Sequence, residues 1–451
     1  MRATGIGSAR EALVPKGDGL TRTGHVLLPD QRVYYQGLAD VFLHRVERHL
    51  ETKDRIFGYR ARYARTAARP FGKPLEQWLE WDRRVKRVAS SGVNDAAVVT
   101  DVAAFFERVQ HGILEKQLRD MGVTPAAARE VRSALKGLMS GADQGLTQGN
   151  DASSVLATWY LDPLDKAVVR AGYEFFRYVD DMRLFVQGED DARLALHFLE
   201  ARARSLSLNL QPGKTRILVG RQQIKQEIMD KRAQIGAVAY VYRKHRKSGL
   251  KLVRKAWRSE SRRKPWSQPF VKYLLNRLRA NRDDLGLTWC LKRLGTLDWL
   301  ADVVGPYLSL FASRPRVQQA VESHLRSSRN VSPFEEVWLL RACLSASRVH
   351  RSFLDYAVGV VSNRNNEPGR REWAAVFLGR FGDASDLAEV SRCSSENAYI
   401  ARASIVALQR VDAVSRATTY AGLVARFPDL RSLVERVKGL ASPFWPICDV
   451  W

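Results

Sequence analysis

The sequence predicts an α+β fold over its first half, followed by an all-α region. Three observations carry that expectation. Short β-type runs at residues 96–102 and 175–186 lie between stretches of helical spacing. From about Asn281 onward the chain reads as helix throughout. Within that part, residues 371–383 (REWAAVFLGRFGD) align with 401–413 (ARASIVALQRVDA) at a 30-residue offset, Leu378 matching Leu408 and Arg380 matching Arg410.

In chain order, Gly/Pro breaks at residues 15–19, Pro29 and 70–74 set off a helix over 32–50, with Leu38, Val41, Phe42 and Val46 on one face. Residues 152–170 and 192–208 read as further helices. Residues 243–264 carry eleven Lys and Arg against the single acid Glu260, with Tyr240, Tyr242, Trp257 and Trp266 interleaved or adjacent. Cations there would meet phosphates and aromatic faces would stack on bases; a solvated basic linker is the alternative. The 30-residue repeat, with residues 337–344 as a further copy, predicts a HEAT-like α-repeat in which no helix pair buries its apolar face alone; an irregular helical domain is the alternative. The expected boundaries are 1–100, 101–235, 236–285 and 286–451.

Composition narrows the function. Lys and Arg number 73 against 48 acids, a net charge of +25. A chain this basic meets a polyanion, and nucleic acid comes first. No apolar run approaches the roughly 18 residues of a membrane span, and residues 1–16 lack a signal-peptide core. Cys290, Cys343, Cys393 and Cys448 form no CxxC pair, which predicts reduced core thiols, no zinc site and a cytoplasmic protein.

The chemistry is carried by carboxylates. Asp180-Asp181 joins two apolar β-type runs, Phe175 to Val179 and Met182 to Val186, and so sits at a hairpin turn. Two like charges beside apolar strands are costly unless a cation neutralises them. The pairs Asp190-Asp191 and Asp283-Asp284 lie in polar, helix-like surroundings and read as surface or helix N-termini. Asp101 ends the apolar run 96–99 and precedes Phe105-Phe106. Leaving a strand, it can aim at the same point as the hairpin turn, and three converging carboxylates can hold two Mg²⁺ ions for displacement at phosphorus.

The order and spacing of these segments resemble the reverse transcriptase palm. Asp101 to Phe106 resembles the first motif of that family. Gly145-Leu146-Thr147-Gln148-Gly149 with Ser153 and the helix through Leu161 and Asp165 resembles the second, with Thr147 where many members have Pro. Tyr178 to Asp181 resembles the third, and Leu208-Asn209-Leu210 followed by Lys214-Thr215 the fourth. Residues 236–242 are the candidate for the fifth, the primer grip. Pro15-Lys16, Arg22, Pro29-Asp30 and Phe57-Gly58-Tyr59-Arg60 resemble the fingers of bacterial members.

The resemblance implies a right-hand polymerase of fingers, palm and thumb-like segment. It implies metal ligands at Asp101, Val102, Asp180 and Asp181, with Mg²⁺ or Mn²⁺ as cofactor. Lys16, Arg22, Arg60, Phe106, Gln148 and Gly149 would bind nucleotide or template, Phe106 as the gate that rejects a 2′-hydroxyl. Lys214 would serve the pyrophosphate leaving group. The substrates would be deoxynucleoside triphosphates, and the partners an RNA template or noncoding RNA and a DNA product. The helical C-terminal part would hold a partner protein or a second copy of the chain, with no membrane partner. That architecture is similar to the abortive-infection, defence-associated group of bacterial reverse transcriptases. Three alternatives stay open: a nucleic-acid-binding scaffold on a polymerase-like fold, an intron- or retron-type enzyme without a defence role, and an RNA-dependent RNA polymerase.

Overall fold

The computed structural model describes residues 6–17, 19–50, 54–59, 74–230, 233–327 and 331–446. The chain divides into two compact units. The first comprises residues 1–10, 25–27 and 31–236, the second 11–24, 28–30 and 237–451.

Strands β1 (Arg10–Pro15) and β2 (Thr21–Val26) form a two-stranded sheet, followed by helix α1 (Pro29–His49). Strand β3 (Ile56–Phe57), helix α2 (Pro74–Ser90) and strand β4 (Ala96–Thr100) come next. Then follow the helices α3 (Phe105–Arg108), α4 (His111–Asp120), α5 (Pro125–Leu138), α6 (Asp151–Tyr160) and α7 (Asp162–Arg170). Strands β5 (Glu174–Tyr178) and β6 (Asp181–Val186), helix α8 (Glu189–Ser205), strand β7 (Arg216–Val219) and helix α9 (Gly220–Ile224) come after them, and β3 to α9 lie in the first unit. The five-stranded sheet has the order β3-β5-β6-β4-β7, antiparallel except for the β3–β5 pair.

Side-chain alternation along these strands makes two cores. Ala96, Val98, Phe175, Met182 and Leu184 face α4 to α8. Ala97, Val99, Phe176 and Phe185 face α2 through Trp81 and Val85. Strand β4 is buried on both faces, as its unbroken AAVVT composition requires. Thr100 lies opposite Met182 in the β4–β6 register, so Asp101 leaves the sheet at the edge where β5 turns into β6.

The helix expected over 152–170 is two helices. Helix α6 ends at Leu161 and α7 restarts with Pro163 in its first turn, where proline's missing N–H costs nothing. Residues 236–242, the primer-grip candidate, lie inside helix α10 (Ala233–Lys244).

In the second unit α11 (Arg246–Glu260), α12 (Gln268–Ala280), α13 (Leu287–Leu291), α14 (Ala301–Leu308), α15 (Pro315–Ser327) and α16 (Pro333–Cys343) follow one another. They continue as α17 (Arg351–Ser362), α18 (Pro368–Phe381), α19 (Ala384–Cys393), α20 (Ala398–Ala407), α21 (Ala413–Arg426) and α22 (Arg431–Lys438). The even-numbered helices α12 to α22 pack each on the next, and α17 packs on both α18 and α19. The matched arginines do the same work one step apart. Arg410 donates to the carbonyls of Arg380 (2.8 Å), Gly382 (3.2 Å) and Gly379 (3.3 Å), and Arg380 donates to that of Ala346 (3.4 Å). Arg410 thus meets carbonyls at the end of α18, and Arg380 one in the turn just past the end of α16. A buried Arg402–Glu372 ion pair also joins α20 to α18.

Of the aromatics expected to stack on bases, Trp257 (2% exposed) and Tyr242 (7%) are core residues, because α11 and α10 turn them inward. The cations of those helices remain at the surface, together with Tyr240 (61% exposed). Cys290, Cys343 and Cys393 are buried free thiols; Cys448 lies outside the described residues. Among the described residues, no helix is long and apolar enough to cross a membrane.

Candidate active site

Asp101 directly follows β4, and its surroundings are set by the backbone. Its own carbonyl accepts from Gln211 N–H at 2.7 Å, Ala103 N–H donates to Asn209 at 2.8 Å, and Val102 makes an isolated bridge to Leu210. The Thr100 and Thr215 hydroxyls meet at 2.7 Å. This pairing brings the short helical turn Pro212–Lys214 beside the strand end, where Lys214 Nζ donates to Asp101 Oδ2. Burial works to lower the Lys214 pKa, but the Asp101 carboxylate, with Asp180 and Asp181 behind it, outweighs that and raises it. The Lys214 side chain is still 66% exposed, so it can move off Asp101 without unpacking anything.

Asp180 sits at the β5–β6 turn. Burial, then the neighbouring Asp101 carboxylate, pushes its pKa from 3.8 up to about 7. The Asp101 Oδ1 atom is buried without a hydrogen-bond partner. An orphaned carboxylate oxygen beside a second acid that resists ionising is a donor set that fits a divalent cation.

The third carboxylate is placed differently from the expectation. Asp181 Oδ1 is ion-paired with Arg183 at 2.5 Å, and that guanidinium lies 5.4 Å from the centroid of the Trp81 ring. Asp181 and Arg183 are two apart on β6, so both side chains leave the same face of the strand. Among the described residues no three His, Cys, Asp or Glu side chains form a metal-holding group. The structure therefore brings Asp101, Asp180 and Lys214 together and leaves Asp181 beside them under the hold of Arg183. Val102 is buried and turned into the core.

Phe106 follows a left-handed Ala104 (φ 48°) and packs edge-on against Phe105 at 5.6 Å, half-exposed where Phe105 is buried. Its carbonyl accepts from Leu146 N–H at 2.7 Å, which ties it to the Gly145–Gly149 loop. The buried His111 bonds the Gly145 carbonyl through Nε2 at 2.7 Å. Gln148 exchanges two bonds with His25: its N–H donates to His25 Nδ1 and its carbonyl accepts from His25 N–H, both at 3.1 Å. Gly149 has φ +100°, which favours glycine, and open space where a Cβ would stand. Thr147, in the place of the more usual proline, is held by a hydroxyl chain: it meets Ser153 at 3.0 Å, and Ser153 meets Tyr35 at 2.9 Å.

Lys16 and Arg22 are exposed residues of the second unit. Lys16 N–H donates to the Leu20 carbonyl at 2.7 Å, and Arg22 lies within β2. Arg60 lies outside the described residues. Sequence reasoning missed Arg183, His25, His111 and the buried Arg177. A signal existed for Arg177: a cation in the middle of the apolar run Phe-Phe-Arg-Tyr has to find a buried carboxylate.

A family model described as reverse transcriptase (RNA-dependent DNA polymerase) matches residues 14–252, more than half of the chain. No curated protein matches the sequence. Similar solved structures include telomerase from Candida albicans in complex with a TWJ fragment of telomeric RNA. It shows 10% identity and a TM-score of 0.35, over 97% of this chain and 65% of that one. Telomerase from Candida tropicalis with the same kind of fragment gives 9% and 0.38, over 94% and 65%. Apo telomerase from Candida tropicalis gives 9% and 0.37, over 98% and 71%. The chain thus spans just under two thirds of the length of the first two telomerase chains. By the family model that covers its sheet, its carboxylates and its Gly145–Gly149 loop, the chain belongs to the reverse transcriptase (RNA-dependent DNA polymerase) family.

Proposed function

We propose that this chain is an RNA-directed or untemplated DNA polymerase that works with divalent ions, Mg²⁺ or Mn²⁺, in bacterial anti-phage defence. The observation that carries the polymerase reading is the meeting of Asp101 and Asp180, with an orphaned oxygen on the first and a raised pKa on the second. Asp101 and Asp180 would hold the ions, with Asp181 and Val102 adjoining. When bound, such ions supply activation of a primer 3′-hydroxyl and neutralise charge at the leaving pyrophosphate.

The chain's own residues have distinct tasks. Lys214 holds a proton and a positive charge beside Asp101, and its exposed stem lets it turn to a leaving phosphate. Phe106 would set a ring beneath the sugar and so favour deoxynucleotides. Gln148 and Gly149 would offer backbone to the template base and incoming nucleotide, on a loop that His25 and His111 hold still. Lys16, Arg22 and Arg60 would contact triphosphate or template. The exposed cations of α11 suit nucleic-acid phosphates.

The defence assignment rests on the second unit. Its successive even-numbered helices and the repeated Arg380 and Arg410 bonds support a HEAT-like repeat, a platform for a partner protein, a noncoding RNA or a second copy. One observation favours the scaffold reading instead, namely the capture of Asp181 by Arg183. Nucleic acid that copurifies with the chain separates the two. DNA present with wild type and absent with the Asp180→Ala/Asp181→Ala protein supports the polymerase. Equal nucleic acid in both, with no metal-dependent incorporation, supports the scaffold.

A further inference from the structure

Arg177 is a cation within a strand of aromatic neighbours, Phe175, Phe176 and Tyr178. Its side chain is 0% exposed. Strand alternation turns it to the same face as Phe175, toward α7. There Nε donates to Asp165 Oδ1 at 2.8 Å and Nη2 to Asp165 Oδ2 at 2.5 Å. That two-point pairing already satisfies a buried carboxylate. The remaining nitrogen, Nη1, donates elsewhere: to the Val179 carbonyl at 2.5 Å.

Val179 is the residue directly before Asp180. Its φ is +57°, a left-handed backbone that a β-branched side chain rarely adopts. The turn has no glycine to make that conformation cheap. It is held from two sides instead: Val179 N–H donates to the Phe57 carbonyl of β3 at 3.3 Å, and its carbonyl is gripped by Arg177. Fixing the peptide planes on either side of Val179 fixes the direction in which Asp180 leaves the chain.

We propose that Arg177, anchored by Asp165, is a positioning residue that locks the left-handed Val179 turn and thereby aims Asp180 at Asp101. An ion pair that served folding alone would need only the two bonds to Asp165. The third bond reaches the one strained residue next to the acid that has to be aimed. The inference rests on the polymerase reading, and its test keeps the two apart.

The test compares wild type with the Arg177→Met/Asp165→Leu protein, in which neither charge is left stranded in the core. Two quantities are read: deoxynucleotide incorporation, and binding of Mn²⁺ alone followed by its EPR signal. The expected result is a wild-type unfolding profile with kcat down about 100-fold, the scale of a small misplacement of reacting groups. The nucleotide KM stays within about threefold, because ground-state binding is untouched. The Mn²⁺ midpoint rises about tenfold, the size of effect seen when groups behind a metal ligand are removed. Adding Val179→Gly to that protein recovers a large part of both losses, since glycine takes the left-handed conformation without help. A purely structural pair would show no such rescue.

Wild-type kcat and Mn²⁺ midpoint in the double variant, or no recovery with Val179→Gly, overturns the proposal. Should the double variant not fold, Arg177→Lys takes its place. A lysine keeps the charge for Asp165 but lacks the planar fork that reaches a third acceptor. The same losses in that folded protein support the clamp, and wild-type values overturn it. If wild type itself incorporates no deoxynucleotide, the polymerase reading fails, and the Mn²⁺ midpoints alone decide on the clamp.

Discussion

Asp180→Asn should stabilise the metal-free protein at pH 8, although it removes one of the two acids that carry the proposed chemistry. The carboxyl's pKa is raised from 3.8 to about 7, chiefly by burial and then by Asp101. A group whose folded pKa is raised contributes stability that is fully present below its unfolded value, here 3.8, and lost as pH rises through about 7. Above pH 7 the native state therefore carries a crowded charge that the unfolded chain carries freely. At about 1.4 kcal/mol per pH unit, the rise sets an upper bound of about 4 kcal/mol on that penalty. Partial exposure of Asp180 and the nearby Lys214 ammonium screen it, and about 1–2 kcal/mol is the working value. For a unit of this size that corresponds to roughly 3–6 °C in Tm. The amide offers a donor to Asp101 Oδ1, which has no partner in the wild-type structure, so no polar group is newly stranded. The assay is thermal unfolding in EDTA at pH 5 and pH 8, repeated with Mn²⁺. The Asp180→Asn protein should melt higher than wild type at pH 8, and by only about a third of that margin at pH 5, because the loss begins once pH exceeds the unfolded value of 3.8. Mn²⁺ should raise the wild-type Tm and leave the variant unmoved, because an ion that binds only the native state stabilises it by mass action. A variant that melts lower than wild type at pH 8 in EDTA would refute the reasoning, since the two carboxylates would then not be in conflict.

Other consequences follow from particular side chains. Arg402→Met leaves Glu372 charged and buried between α18 and α20, and should cost about 3–5 kcal/mol in chemical denaturation of the full chain. Combining it with Glu372→Leu should bring the loss back within about 1 kcal/mol, because both charges are then gone. Replacing the exposed cations Lys247, Lys251, Arg258 and Arg262 by Ala should lower the log–log salt slope of single-strand binding by about 2–3, at about 0.7 for each phosphate no longer neutralised. Arg254 is left out because it is committed to Asp283 at 2.6 Å. Phe106→Ala should raise ribonucleotide use relative to deoxynucleotide by ~10–100-fold, read from paired incorporation rates, the range expected when a pocket stops excluding one small group.

What the sequence revealed depended on how local the signal was. The β5–β6 hairpin was visible because apolar residues run up to and away from the turn, and its observed strands end at Tyr178 and restart at Asp181. The strand leading to Asp101 was visible for the same reason. The Arg380–Arg410 match was visible as a repeat, and its meaning, bonds to carbonyls at or just past the preceding helix end, needed the fold. The Arg183–Asp181 pair, two apart on one strand face, was local enough to be read and was overlooked. Pairings between distant residues were not legible: nothing local says that Tyr35 joins Ser153 and Thr147, or that His25 braces Gln148. Composition misled for Trp257 and Tyr242, since an aromatic among lysines can as well be the buried side of an amphipathic helix. The break between α6 and α7 was missed because proline in a first turn leaves apolar periodicity almost intact.

The most direct test of the polymerase reading is Mn²⁺- and Mg²⁺-dependent deoxynucleotide incorporation by purified wild type beside Asp101→Asn, with unfolding curves confirming that both proteins are folded. Asp101 carries the orphaned oxygen and the bond from Lys214, so it is the residue on which the proposed site turns. The expected result is ion-dependent incorporation by wild type and a drop of at least about 1000-fold in the variant, the scale reached when a group acting as part of a catalytic unit is removed. Equal incorporation by the two folded proteins would contradict it.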